Sequence, residues 1–290
     1  MHKLDYLKLH LSVLLAGFTG IFAKLISLNE VIIVFYRMLL AFIFFGIYMT
    51  IIKKIPKESI KEINKIGLLG ILLAIHLIFF FGSIKYSNVS IGTVCYSLVG
   101  FFAVFLEPCI LKSKFSYKEL IYSLISIFGI GLIFGFSSEY RFGIILGIIS
   151  AGLFAVYTIY NKIIEQGKSS KTMLFYELLG GSMFMCLFIP VYLKLNPAIT
   201  IVPVLSDWFY LIILALFCTV ILYLLHISVL KTISAFTVSL TGNLEPVYGV
   251  LFAIIFLNEA QELTPTFYIG MLFIIISVYL QSIVKNDNIS

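Results

Sequence analysis

Long apolar stretches recur along the whole chain and are separated by short polar links. Each stretch is close to the ~20 residues that a helix needs to cross the ~30 Å hydrocarbon layer of a bilayer. A segment that faces lipid must satisfy its own backbone hydrogen bonds, so unbroken apolar runs of this length favour helices. The sequence therefore predicts an all-α polytopic membrane protein.

The composition agrees with lipid as the surrounding solvent. Hydrophobic residues make up 61% of the 290 residues and charged residues 12%, against about 45–50% and 25% in soluble domains. The net charge of +6 is spread over short links and forms no single basic face, which excludes nucleic acid as a partner. The four cysteines fall inside apolar stretches without a C-x-x-C pair, so no metal site, disulfide or cofactor is predicted.

Hydropathy places ten membrane spans in the chain. The predicted spans are residues 7–28, 31–52, 66–84, 89–111, 119–136, 142–160, 172–193, 208–229, 235–257 and 266–284. The first apolar run continues past Phe22 without a convincing small-residue cleavage site, so it is interpreted as a span and not as a signal peptide.

The distribution of cations predicts the orientation. Most of the 20 Lys and Arg residues fall in links on the side of the N-terminus, whereas only Lys85, Arg141 and Lys194 fall in links on the opposite side. Cytoplasmic links carry an excess of cations, so both termini are predicted to be cytoplasmic. The many Ile and Lys residues favour a bacterial inner membrane as the location.

The second half of the chain repeats short motifs of the first half. Phe35–Arg37 at the start of span two matches Phe175–Glu177 at the start of span seven, and Ser90–Val94 matches Ser234–Val238. The matches fall in corresponding spans at similar offsets. An internal duplication with five spans in each half is therefore predicted.

Because five is an odd number, the two halves, residues 1–139 and 140–290, are expected to cross the membrane with opposite orientations. Many transporters place a solute site near the midplane between such inverted repeats and alternate access by moving one repeat against the other. The duplication therefore favours transport of a small molecule.

The stretch from Asn243 to Glu259, which begins Asn-Leu-Glu-Pro-Val-Tyr, resembles the ninth-span signature of the EamA-like family in the drug/metabolite transporter superfamily. Gly17–Lys24 in the first span and Arg37 also resemble that family. The resemblance implies ten helices as two inverted five-helix repeats around a central cavity. It also implies small metabolites or amino acids as substrates, often exported.

The chain departs from the family pattern at two places. Phe102 stands where the first repeat would carry a proline opposite Pro246, and Lys114–Ser116 replaces the glutamate that usually follows span four. Family membership does not name the solute.

Arg37 lies inside the second span, where a charged side chain must face protein, water or a headgroup. Its planar guanidinium is suited to hold a solute carboxylate or phosphate by two bonds. A structural arginine bonded to helix-end carbonyls is the alternative. The repeat alignment pairs Arg37 with Glu177, but inverted symmetry puts them on opposite sides of the membrane, so no direct ion pair is expected.

Glu245 falls near the midplane of the ninth span and is followed by Pro246, which has no N–H for the carbonyl of Gly242. The sequence predicts a helix kink at Pro246, with Asn243 and Glu245 as a substrate-binding polar patch at this depth. Glu245 is expected to bind a proton or a substrate amine. A packing role for the Glu-Pro pair is the alternative.

His76 lies near the midplane of the third span and is a candidate for substrate binding or proton relay. A neutral histidine bonded to a neighbouring helix is the alternative. Tyr96 is a further candidate in the substrate site. Lys24, Glu107 and His226 fall near the membrane surfaces, where snorkelling side chains are the simplest explanation.

A permease that exports amino acids or related compounds is the first hypothesis. An uptake carrier with the same fold and, less favoured, an intramembrane lipid-modifying enzyme are the alternatives. The sequence has no Walker motif, H-E-x-x-H or G-x-S-x-G, so neither ATP hydrolysis nor catalysis is predicted. Gly143-x-x-x-Gly147 permits close helix packing inside the bundle or between two copies, so a monomer and a homodimer are both compatible with the sequence.

Overall fold

The computed structural model describes residues 2–112, 115–134, 140–165, 167–242, 244–257 and 265–287. Within these ranges the regular secondary structure is helical throughout. The helices are α1 (His2–Leu25), α2 (Glu30–Ile51), α3 (Ile60–Lys85), α4 (Val89–Tyr96), α5 (Leu98–Leu111), α6 (Tyr117–Phe134), α7 (Arg141–Ile164), α8 (Ser170–Leu195), α9 (Leu205–Ala215), a π-helical turn (Leu216–Ile221), α10 (Leu222–Leu230), α11 (Ala235–Gly242), α12 (Glu245–Leu257) and α13 (Pro265–Asp287).

Polar side chains in the links set where several helices begin. Asn29, Ser59, Asn88 and Ser169 precede α2, α3, α4 and α8, and each accepts a hydrogen bond from a backbone N–H in the first turn. These N–H groups have no partner inside the helix, so a side-chain oxygen at this position stabilises the helix end. The links thus determine where these spans begin.

Eight spans among the described residues are long and apolar enough to cross a bilayer. They are α1, α2, α3, α4 with α5, α7, α8, α9 with α10, and α11 with α12. They match the predicted spans one to four and six to nine. The predicted fifth and tenth spans coincide with α6 and α13, which do not belong to those eight.

Three spans are interrupted inside the bundle. Ser97 separates α4 from α5, and the chain between Gly242 and Glu245 separates α11 from α12. The π-helical turn separates α9 from α10. Broken helices are tolerated at membrane depth where protein or a cavity satisfies the freed backbone groups, so these breaks mark a polar interior.

Contacts between the helices α1 to α6 and the helices α7 to α13 come in corresponding pairs. The contact of α3 with α7 corresponds to that of α1 with α10, and the contact of α5 with α7 corresponds to that of α1 with α12. In the same way, the contact of α4 with α12 corresponds to that of α5 with α11. Further contacts join α2 to α8 and α6 to α13. The largest apolar core cluster therefore lies between the two halves of the chain.

The helices α3 and α8 touch backbone to backbone. A Cβ atom on Gly70 would overlap the backbone of Glu177, and one on Gly180 would overlap the backbone of Gly67. Glycine is needed at these positions because small residues allow helices in a membrane to approach closely. This crossing fixes the first half of the chain against the second.

Candidate functional site

A cavity lies where the interrupted spans meet, enclosed by α1, α2, α3, α4, α7, α10, α11 and α12. Its volume of about 40 Å³ has room for only a few water molecules, because one water needs about 10–15 Å³. Small-molecule pockets typically measure about 300–1,000 Å³. A metabolite can therefore bind only if the helices move apart. The polar lining residues are Ser12, Thr19, Arg37, His76, Tyr96, Tyr223, His226, Ser239 and Glu245.

Three polar atoms of this lining are buried without a hydrogen-bond partner among the described residues. They are Nη1 of Arg37, Nε2 of His226 and Oγ of Ser239. Buried polar atoms in native proteins nearly always have a partner. Three such atoms around one cavity indicate a space that takes up polar molecules, whether water or a solute.

Arg37 is held by the π-helical turn. Its Nε donates to Oγ1 of Thr219 at 2.8 Å and its Nη2 donates to the carbonyl of Cys218 at 2.5 Å, while the guanidinium carbon lies 5.5 Å from the ring centre of Phe81. The side chain is only 1% exposed. These bonds fix the plane of the guanidinium and leave Nη1 free to bind a ligand.

Glu245 is the first residue of α12 and lines the same cavity, with 3% of its surface exposed. Its carboxylate and the guanidinium of Arg37 interact electrostatically but form no direct ion pair. Pro246 follows in the first helical turn, where its missing N–H needs no partner. Asn243, the other residue of the predicted polar patch, lies outside the described residues.

His76 joins α3 to α7. Its Nδ1 lies 3.0 Å from the carbonyl of Ser150 and 2.9 Å from the hydroxyl of the same residue. These bonds orient the ring, which is buried at the cavity wall. His76 therefore has both a bond to a neighbouring helix and a place in the cavity lining.

Tyr96 is the last residue of α4 and belongs to an aromatic wall. Its ring centre lies 5.9 Å from that of His76, 5.8 Å from that of Phe80 and 5.2 Å from that of Phe154. The rings of this wall line the cavity beside the side chains of Arg37 and Glu245. The cavity thus combines an apolar surface with a guanidinium and a carboxyl group.

His226 and Tyr223 are cavity residues that depth counting along the sequence did not assign. His226 was interpreted as a snorkelling side chain, which is wrong: it is 6% exposed and lines the cavity. The π-helical turn before α10 inserts an extra residue and changes which side chains face inward. One signal was available, since residues three apart share a helix face and these two are the ring side chains with polar tips in α10.

The other two residues expected near the surfaces differ from each other. Lys24 is exposed. Glu107 has a structural partner, because its Oε2 accepts a hydrogen bond of 2.7 Å from the N–H of Phe236 at the start of α11. Glu107 therefore ties α5 to α11 across the two halves.

Arg37 and Glu177, which the repeat alignment pairs, do not meet. The carboxylate of Glu177 accepts hydrogen bonds from the hydroxyl of Tyr157 at 2.8 Å and from Nδ2 of Asn161 at 2.5 Å. Glu177 is absent from the cavity lining. Arg37 shares the cavity with Glu245 instead.

The model of the EamA-like transporter family matches residues 4–135 and, a second time, residues 141–283. No curated protein matches the sequence. Among solved structures, 29 chains match this protein. One of them, titled "Crystal structure of protein", has a TM-score of 0.74 and 15% identity, and the match covers 98% of this chain and 99% of that chain. At this identity the likeness shows a shared fold.

Proposed function

Because the chain belongs to the EamA-like transporter family, we propose that it is a secondary transporter that moves a small metabolite through the bilayer by alternating access. The chain is a multi-pass membrane protein. The observation that carries the proposal is the cavity wall, where Arg37, Glu245 and three unpartnered polar atoms meet inside the bundle. A polar site between two halves of a bundle suits a carrier.

The two halves are proposed to be inverted five-helix repeats, residues 1–139 and 140–290, with ten spans in total. The two matches to the family model support this division. The break at Ser97 has a counterpart just before Glu245, and the helix contacts between the halves come in corresponding pairs. Inverted repeats of this kind can exchange conformations, so that the cavity opens first to one side and then to the other.

The proposed substrate is an amino acid or a related zwitterion. Nη1 of Arg37 is a charged donor for a carboxylate, and Glu245 is an acceptor for an ammonium group. The rings of Phe80 and Phe154 line the same cavity and offer apolar contact to the remainder of the solute. The proposal assigns no catalytic role to these residues and needs no cofactor.

Polar contacts join the two halves at both ends of the bundle. At one end Lys168 forms an ion pair of 2.9 Å with Glu62. At the other end Asp207 accepts hydrogen bonds from the N–H of Ser27 at 2.9 Å and from its hydroxyl at 2.7 Å. Alternating access requires each set to break in turn while the other holds.

The end that carries Lys168 is proposed to face the cytoplasm, together with both termini, in a bacterial inner membrane. The excess of cations in the links on this side supports the orientation. Export is the proposed direction, with uptake by the same fold as the alternative outcome. Glu245 is proposed to link solute movement to a proton, because a carboxylate in a bundle is costly to keep charged without a partner.

The experiment is solute counterflow in liposomes that contain the purified protein, with a panel of radiolabelled amino acids, nucleosides and vitamins. Saturable exchange of one solute is expected, with amino acids as the active class. Inside-out and right-side-out vesicles then give the direction of net flux. Failure of a folded protein to exchange any solute of the panel would count against the proposal, and lipids would be tested next.

A further inference from the structure

We propose that Glu177 is a proton-binding site, separate from the central cavity and placed between α7 and α8. Its carboxylate takes up a proton from water when the bundle opens and releases it to water afterwards. The proposal that Glu177 takes up a proton does not depend on the proposed transport function. A part for this proton in driving solute movement rests on the proposed transport function.

The surroundings of Glu177 suit a carboxyl group that changes its protonation. The side chain is 0% exposed, and the two groups that donate hydrogen bonds to it, the Tyr157 hydroxyl and the Asn161 amide, are both neutral. A charged group inside a membrane protein normally pairs with an opposite charge, because burial of an unpaired charge is costly. Glu177 forms no ion pair with any described cation.

The groups that face Glu177 from each packed helix are uncharged or distant. α7 presents Tyr157 and Asn161, and α10 presents Tyr223, which interacts with Glu177 electrostatically. From α3 the backbone of Gly70 lies against it, and α2 contributes Met38 one turn further on, beside Gly181. On α8 itself the nearest charged residue along the chain is Lys171, whose ammonium donates to the hydroxyl of Tyr48.

Asn161 offers an acceptor that only the protonated form of Glu177 can use. Its Oδ1 is buried without a hydrogen-bond partner among the described residues, although its Nδ2 donates to the carboxylate. When Glu177 binds a proton, its new O–H becomes a donor. A turn of the Asn161 amide then brings Oδ1 to accept it, so both forms of the carboxyl group have partners.

A row of side chains links Glu177 to the cavity. The ring of Tyr157 lies 6.3 Å from the ring of His226 and 6.1 Å from that of Tyr223, measured between centres. Both of these residues line the cavity. Glu177 is therefore two side chains away from the space where solute is proposed to bind, which is close enough for occupancy of one site to affect the other.

Glu177 also lies at the crossing that joins the two halves. Its backbone touches Gly70 of α3, and its side chain ties α8 to α7. A change in protonation alters the hydrogen bonds between α8 and α7 and can favour one arrangement of the halves over another. This position gives proton binding a direct route to the motion that alternating access requires.

The test is the infrared carbonyl stretch of protonated carboxyl groups in the purified protein, followed from acidic to alkaline pH. A component that disappears on deprotonation is expected, and Glu177→Gln should remove it. Glu245→Gln should retain it, and so should Glu58→Gln, which changes a glutamate in the α2–α3 link. A spectrum of Glu177→Gln identical to that of the parent would overturn the assignment.

A second variant keeps the proposal testable if Glu177→Gln fails to fold. Tyr157→Phe retains the carboxyl group but removes one hydrogen-bond partner, so the same component should persist at a shifted frequency. An unshifted component in Tyr157→Phe would contradict the assignment as well.

The coupling role is tested separately in liposomes. Glu177→Gln should keep counterflow, which needs no gradient, and should lose solute accumulation driven by a proton gradient. Unchanged accumulation would overturn the coupling role and leave proton binding intact. Absence of counterflow in the parent protein would instead refute the proposed transport function, while the infrared result would stand.

Discussion

The guanidinium of Arg37 donates from Nε to the hydroxyl of Thr219, across 182 positions of the chain. Thr219, in the π-helical turn, donates in turn to the carbonyl of Leu214 in α9 at 2.9 Å, five residues earlier. The turn thus supplies a hydroxyl and a backbone carbonyl that hold Arg37, and one guanidinium nitrogen is left for the cavity. A structural role and an anion-binding role of Arg37 are therefore compatible.

Arg37→Lys should weaken solute binding even though the charge is retained. A lysine ammonium carries its three donors on a single nitrogen, so it cannot reach Thr219, the carbonyl of Cys218 and the cavity together as the planar guanidinium does. Loss of one hydrogen bond to a charged group costs about 1.5–3 kcal/mol, which corresponds to roughly a 10- to 100-fold weaker affinity. Equilibrium binding of the identified solute measures this, and equal affinities of the two proteins would reduce Arg37 to its structural role.

Glu245→Gln should abolish the dependence of solute flux on a proton gradient while the protein remains folded. Glutamine is similar in shape but neither binds a proton nor attracts an ammonium group. Flux is compared with and without an imposed pH difference, and folding is checked by size exclusion. Proton-driven flux equal to that of the parent would remove Glu245 from coupling.

Gly70→Ala should destabilise the bundle because the added methyl group meets the backbone of Glu177, which cannot move aside easily. Overpacking of a tight contact costs typically about 1–3 kcal/mol. The measurement is the thermal unfolding midpoint in detergent. Gly131→Ala in α6 is the matched control, because a Cβ there meets nothing within 4 Å; a similar loss in both variants would show that the crossing is not the cause.

Asp207→Asn should weaken the contact between Ser27 and Asp207. An amide nitrogen cannot accept one of the two hydrogen bonds that the carboxylate oxygens accept. Trp208, the sole tryptophan of the chain, packs its ring 5.2 Å from that of Tyr36 and reports on this end. Its fluorescence should shift toward that of a more exposed indole. Asp5→Asn, at the other end of the bundle, should leave the emission unchanged. An unshifted Trp208 emission in Asp207→Asn would argue against a role of Asp207 in holding this end together.

The spans were predictable because bilayer thickness sets the length of an apolar helix. The predicted run 89–111 and the pair α4 and α5 (Val89–Leu111) share their limits for this reason. Side-chain partners were less accessible, since they depend on how each helix is rotated. The π-helical turn changes that rotation before His226, so depth counting could not show that this side chain faces the cavity.

The partners of Arg37 and Glu177 illustrate the same limit. Their equivalence in the repeat is visible from Phe35–Arg37 and Phe175–Glu177. The alignment contains nothing about the π-helical turn that binds the first or about the helix α7 that binds the second. Such contacts arise from the packing of distant helices and not from local patterns.

Solute counterflow by the parent protein, Glu245→Gln and Gly131→Ala in matched liposomes tests the central claim most directly, namely that the cavity between the two halves binds the transported solute. The parent and Gly131→Ala should exchange one solute with the same half-saturation. Glu245→Gln should need roughly tenfold more solute or higher, in line with the loss of one charged hydrogen bond. Equal half-saturation in all three proteins would contradict the claim and locate the solute site elsewhere.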